Sequence, residues 1–102
     1  MRVIKRSTLL LFARDAPAAL GPVRNWFAVA RAARWRSFVD IRRIFTTADL
    51  VRTDSGSSVV VFDLGGNKYR LIAHVSYHKQ KVYVLRIMTH REYDRKRWKR
   101  DL

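Results

Sequence analysis

The stretch that most constrains how this chain can fold runs from Ser58 to Asp94. Val59 to Leu64 is β-branched and aromatic, Gly65-Gly66 is a two-residue hairpin signal, and Lys68 to His78 then alternates with period two. Tyr69, Leu71, Ala73, Val75 and Tyr77 fall on one face, whereas Lys68, Arg70, His74 and His78 fall on the other, interrupted by Ile72 and Ser76. One face is core and the other carries cations. A turn at Gly65-Gly66 sets Leu64 opposite Asn67, Phe62 opposite Tyr69, Val60 opposite Leu71 and Asp63 opposite Lys68, matching apolar with apolar and acid with base.

The next strand, Lys81 to Met88, continues this sheet if Tyr83, Leu85 and Ile87 take the core face. Arg86 then shares the face of Arg70, and the two arginines converge. That parity requires a connection with an odd number of residues, expected as His78 to Gln80. Thr89-His90-Arg91-Glu92 fits a capping box, so a helix should begin at His90 with His90, Tyr93, Asp94 and Arg97 along one side.

Upstream, Arg2 to Lys5 reads as a first strand, and Ser7 can cap a helix over Thr8 to Arg14. Pro17 and Pro22 lack a backbone donor, so a second helix begins near Pro22, or early enough to keep Pro22 in its first turn, and ends near Arg34. Val23, Phe27 and Ala30 recur at helical spacing beside Trp26 and Ala33. Ser37-Phe38-Val39-Asp40 is a second capping-box pattern opening a short helix through Phe45. Thr46 to Arg52 enters the sheet weakly, and Asp54 to Ser57 is loop. The order predicts an α+β fold, an antiparallel sheet covered on one face by the N-terminal helices and followed by a short C-terminal helix. The other face is too cationic for a second core and is the expected site.

A length of 102 residues with 48% hydrophobic composition suits one domain, residues 1–102, with a single core. Lys and Arg number 22 against 8 Asp and Glu, a formal charge of +14, which makes polyanions the expected partners. No apolar run is long enough to span a bilayer, and the basic N-terminus makes a poor signal peptide, so a cytoplasmic protein that does not bind membranes is expected. The absence of cysteine excludes disulfides, thiolate chemistry and Cys-based zinc sites. His74 and His78 lie about 13 Å apart if extended and cannot share a metal.

Arg34-Trp35-Arg36-Ser37-Phe38, the block Val61 to Arg70 and Met88-Thr89-His90-Arg91-Glu92-Tyr93-Asp94 resemble the HigB branch of the RelE superfamily, toxins of bacterial toxin-antitoxin pairs. The resemblance covers nearly the whole chain and implies a ribosome-dependent, metal-independent mRNA endonuclease that needs no cofactor. It also implies a partner antitoxin, HigA-like, with a helix-turn-helix domain. By position, Arg70 and Arg86 match arginines expected to hold the scissile phosphate, Tyr93 an aromatic that stacks on a base or assists proton transfer, and His90 a proton-transferring position. Asn67 and Lys68 match less closely.

The residue chemistry agrees. RNA cleavage through its own 2′-hydroxyl needs a base, an acid for the leaving 5′-oxygen, and cations for the phosphorane. His74 is expected to contact phosphate on this face or to have no role, and Asp63 is expected to be the cross-strand partner of Lys68 and not a catalyst. Arg24, Arg31, Arg34, Arg42 and Arg43 lie on helices away from that face, and Arg31, Arg34 and Arg42 are expected to dock ribosomal RNA. The competing class is a basic RNA- or ribosome-binding module without catalysis, and in either class Trp35, Trp98 and Tyr93 could stack on unpaired bases.

Overall fold

The computed structural model describes residues 1–102. Its strands are β1 (Arg2–Ile4), β2 (Asp49–Arg52), β3 (Ser58–Leu64), β4 (Tyr69–Ser76) and β5 (Lys81–Thr89). Its helices are α1 (Arg6–Asp15), α2 (Leu20–Ala32), α3 (Phe38–Ile44), α4 (His90–Asp94) and α5 (Trp98–Asp101). A 3₁₀ turn, Pro17–Ala19, leads into α2, so Pro22 sits in the first turn of that helix, where its missing N–H costs nothing. The sheet has five strands in the order β1-β5-β4-β3-β2. All pairs are antiparallel except β1 with β5, whose parallel pairing follows because the helices carry the chain across one face before it returns. No helix is long and apolar enough to cross a membrane.

The helical face buries the main core. Phe62 lies at its centre, edge-on to Trp26 at 5.4 Å and to Phe45 at 5.1 Å, with Trp35 stacked at 6.3 Å. Leu9, Val23 and Ala30 pack from the helices onto Val60, Leu71, Ala73, Val82 and Val84 of the sheet. Trp35 is therefore a core residue, 2% exposed, and is not available to stack on RNA. Ser37 does precede α3, but its side chain makes no cap bond; Asp40 instead accepts from the Arg36 backbone N–H at 2.8 Å.

Both hairpins depart from the expected register. Gly65 and Gly66 do adopt positive φ, 62° and 70°, as a tight turn requires. The connection nonetheless spans Gly65 to Lys68, pairing Leu64 with Tyr69 and Asp63 with Arg70. Asn67 and Lys68 are withheld from the ladder because Arg70 donates to the Asn67 carbonyl oxygen and the His90 N–H donates to that of Lys68. The slip is by two, so each side chain keeps its face.

The β4–β5 connection is Tyr77 to Gln80, four residues, since Ser76 pairs with Lys81. Gln80 closes it, with φ 55° and an amide that donates to the carbonyls of Tyr77 and Trp35 at 2.8 and 2.7 Å. The even count puts Val82 and Val84 in the core, while Tyr83 faces His74 on the opposite side. A bulge then intervenes. Ala73 pairs with Val84 but Ile72 with Arg86, leaving Leu85 as the extra residue and returning Ile87 to the core side. Tyr83 and Leu85 thus lie off the expected face, and Arg86 shares the face of Arg70 through the bulge rather than through an odd loop.

The face opposite the helices, expected to be too cationic for a second core, carries one. Val59, Val61, Ile72 and Met88 form a second, smaller core closed by Trp98, with Val51, Leu85, Tyr93 and Leu102 packed at its edge. The C-terminal segment returns across the sheet and is pinned by the Asp54 N–H to the Lys99 carbonyl at 3.1 Å and the Ser55 hydroxyl to Leu102 O at 2.6 Å. The basic charge of Arg95 to Arg100 is therefore carried by a segment that Trp98 anchors. Trp98, 4% exposed, cannot serve as a free stacking platform.

Candidate RNA-processing site

The expected capping box forms. The Glu92 N–H donates to Thr89 Oγ1 at 3.3 Å, and Glu92 Oε1 accepts from the Thr89 N–H at 3.4 Å. This starts α4 at His90, on the edge of the Gly65–Lys68 turn. The helix ends at Asp94, and Lys96 adopts φ 60°, so Arg97 does not continue the His90–Asp94 side as its spacing suggested.

Arg70 is the hub of what α4 meets. It is 8% exposed, and its Nε faces Asp63 Oδ1 across the strand pair at 3.0 Å. Nη1 donates to the carbonyls of Asn67 and Tyr69 at 3.3 and 3.2 Å, and Nη2 donates to Asn67 Oδ1. Nη2 also lies 3.5 Å from His90 Nδ1, and the Tyr93 ring centroid is 5.6 Å from the guanidinium carbon. Asp63 is therefore the partner of Arg70 rather than of Lys68.

His90 is held from both sides. Its Nε2 is 3.2 Å from Asp94 Oδ2, one helical turn on. Because a guanidinium can only donate, Nδ1 is the accepting side of the Arg70 contact, and Nε2 is the side that faces Asp94. Tyr93 stacks on Trp98 at 5.2 Å with an interplanar angle of 18°. Burial holds its phenol above the ordinary tyrosine range; Asp49 adds to this and Arg70 opposes it. Tyr93 is thus a protonated donor throughout the neutral range. An open depression of about 490 Å³ lies against this cluster, lined by Asn67, Lys68, Tyr69, Thr89, His90 and Arg91.

Of the residues expected to act together, Asn67, Arg70, His90 and Tyr93 come together, with Lys68 on the rim. Arg86 stands diagonal to Arg70 on the same face, two residues from Met88, the strand partner of Arg70, but its head lies outside the hub. Its Nη1 donates to its own Leu85 carbonyl at 2.8 Å, and it lines a separate depression of about 240 Å³ with Glu92, Arg95, Arg97 and Trp98. His74 is remote too, four residues or about 13 Å along β4, with its ring against Tyr83 at 5.9 Å. Arg31 and Arg34 lie beyond the opposite end of the sheet, around a depression shared with Arg2 and Gln80, and Arg42 is exposed on α3 over the Phe38 ring at 6.0 Å. Sequence reasoning missed Asp63 and Asp94 as members of the cluster. The spacing of His90 and Asp94, four apart on a capped helix, was the available signal for the second. Asp63 had none without the true register.

A five-stranded mixed sheet with N-terminal helices over one face and a short C-terminal helix is consistent with a RelE-like fold. A family described as HigB toxin, the RelE-like toxic component of a toxin-antitoxin system, matches residues 19–96, and the chain belongs to it. Similar proteins include the mRNA interferase toxin HigB of Escherichia coli (strain K12) and the mRNA interferases HigB of Escherichia coli O157:H7 and Shigella flexneri. Each is 50% identical over 34 residues. The matched stretch spans 33% of this chain and 33% of each relative.

Proposed function

We propose that the chain is a toxin that cleaves mRNA on the ribosome, in the cytoplasm, until a helix-turn-helix antitoxin of the HigA type neutralises it. The observation that carries this reading is the Asn67–Arg70–His90–Asp94 cluster, bordered by Tyr93, beside a cationic depression. A phosphate entering the depression meets Lys68 and Arg91 first. It then replaces His90 Nδ1 on Nη2 of Arg70, because the 3.5 Å contact to His90 is the weakest of the guanidinium's bonds.

This exchange frees the Nδ1 lone pair of His90 to take the proton of the ribose 2′-hydroxyl while Asp94 holds Nε2. The 2′-oxygen bonds to phosphorus, the bond to the 5′-oxygen breaks, and the Tyr93 phenol protonates the leaving oxygen. The products are a 2′,3′-cyclic phosphate and a 5′-hydroxyl end. No metal takes part in these steps. The test is to induce the chain without antitoxin and map new 5′ ends on translated mRNA. Growth arrest with intact mRNA bound to ribosomes would leave the non-catalytic binding module as the function.

Arg86 holds a neighbouring phosphate in this scheme. Because it is exposed and outside the hub, Arg86→Ala is expected to raise the KM for translated mRNA by about 10- to 100-fold, the worth of one charged hydrogen bond. Its melting temperature should stay at the wild-type value. A lower kcat at unchanged KM would place Arg86 in the chemical step instead.

Arg31, Arg34 and Arg42 are assigned to ribosomal RNA. Replacing all three with glutamine should flatten the salt dependence of ribosome binding by nearly one unit of slope per lost phosphate contact. Antitoxin binding should change less. An unaltered slope in a salt titration would remove these arginines from the docking surface.

A further inference from the structure

Every nitrogen of the Arg70 guanidinium has a partner, through four hydrogen bonds from Nη1 and Nη2 and an ion pair at Nε. The four hydrogen bonds run to the turn, to its own strand and to α4, which are the parts the proposed reaction uses. The ion pair joins Nε to Asp63 Oδ1 at 3.0 Å, and the Asp63 side chain is 24% exposed against 10% for Arg70. Asp63 belongs to β3, a strand that contributes nothing else to the cluster. Resting on the reading of the site given above, we propose that Asp63 is its positioning residue: by holding Nε, it sets the plane in which Arg70 presents Nη1 and Nη2 to Asn67 and His90.

The geometry of the guanidinium makes this work. The group is planar and rigid, so fixing Nε and the side-chain stem leaves no free rotation that could redirect the two terminal nitrogens. Asp63 sits directly across from Arg70 on the neighbouring strand, and the backbone ladder holds its carboxylate in place. Without this anchor, Arg70 could swing about its stem, Asn67 would rejoin the ladder or solvent, and His90 Nδ1 would lose its donor. Asp63 touches no group that reacts; it acts through Arg70.

The test compares Asp63→Ala with Asp63→Asn in the full-length chain. Asparagine keeps the shape and an oxygen facing Nε, and alanine keeps neither. The first readout is the nitrogen NMR signature of the His90 imidazole in the free protein, which reports the Arg70 contact whether or not the protein cleaves RNA. The second is kcat and KM on translating ribosomes.

For Asp63→Ala, the His90 Nδ1 signal is expected to move and kcat to fall at least tenfold with KM within about twofold. Asp63→Asn is expected to restore both. Should alanine unfold the chain, Asp63→Ser, too short to reach Nε, takes its place. An unmoved Nδ1 signal in the folded alanine or serine variant would overturn the proposal, reducing the pair to a structural ion pair. So would an asparagine variant as impaired as alanine, since charge rather than position would then be the cause. If the wild type itself cleaves no mRNA, the proposed function fails while the imidazole signal still decides the role of Asp63.

Discussion

Exchanging Arg70 for alanine is expected to lower mRNA cleavage by about 100- to 1000-fold, as removal of one preorganised charge from a phosphoryl or acyl transition state does. It should also weaken the fold, which distinguishes it from every other arginine of the site. The substitution strands the Asp63 carboxylate in a largely buried position and releases both acceptors on Asn67. Breaking a buried pair by removing one partner costs about 3 kcal/mol at the low end of the range, the relevant end here because Asp63 keeps some contact with water. Arg70→Lys should keep much of the stability and little of the cleavage, since an ammonium cannot span Asp63, Asn67 and His90 at once. Cleavage by Arg70→Ala near the wild-type rate, measured on translating ribosomes, would remove this residue from the mechanism.

The largest effect on stability is expected from Trp98→Ala. The indole closes the smaller core over Val59, Val61, Ile72 and Met88, stacks on Tyr93, and donates from Nε1 to the Tyr93 carbonyl at 3.2 Å. Truncating a buried tryptophan costs about 3 to 5 kcal/mol, and for a domain of this size that lowers the melting temperature by roughly 12 °C or more. The consequence for function follows from the same contacts. Without the stack and the carbonyl bond, α4 loses its support on the sheet, and Tyr93 and His90 lose their fixed positions. A shift of only a few degrees in thermal unfolding would mean that the C-terminal segment rests on the sheet without contributing to its core.

Alternation in Tyr69 to Val75 put the main core on one face and Arg70 and His74 on the other, because side chains of a strand must alternate whatever it pairs with, but it did not show that Ile72 joins a second core on the cationic face. The capping box at Thr89 was equally legible, since both of its partners lie within one turn of chain. The helical spacing of Val23, Trp26 and Ala30 and the place of Pro22 in a first turn belong with these. Local pattern was less informative where a side chain had a stronger partner elsewhere. Ser37 matched a cap and makes none, because Asp40 reaches the Arg36 amide instead.

What the sequence determined by itself was therefore the set of elements, the two faces of the central hairpin and the start of the helix bearing His90 and Tyr93. Register, convergence and cover were decided only in three dimensions. The hairpin lengthened to four residues because a buried guanidinium takes Asn67 and an amide of α4 takes the Lys68 carbonyl. Arg86 reached the face of Arg70 through a bulge at Leu85, which no period in the sequence announces, and it then turned toward a different depression. Trp98, set among five cations, folded onto the sheet because Val59, Val61, Ile72 and Met88 expose apolar area that a large ring covers. Each of these outcomes depends on partners distant in sequence competing for one group, and periodicity carries no information about such competition.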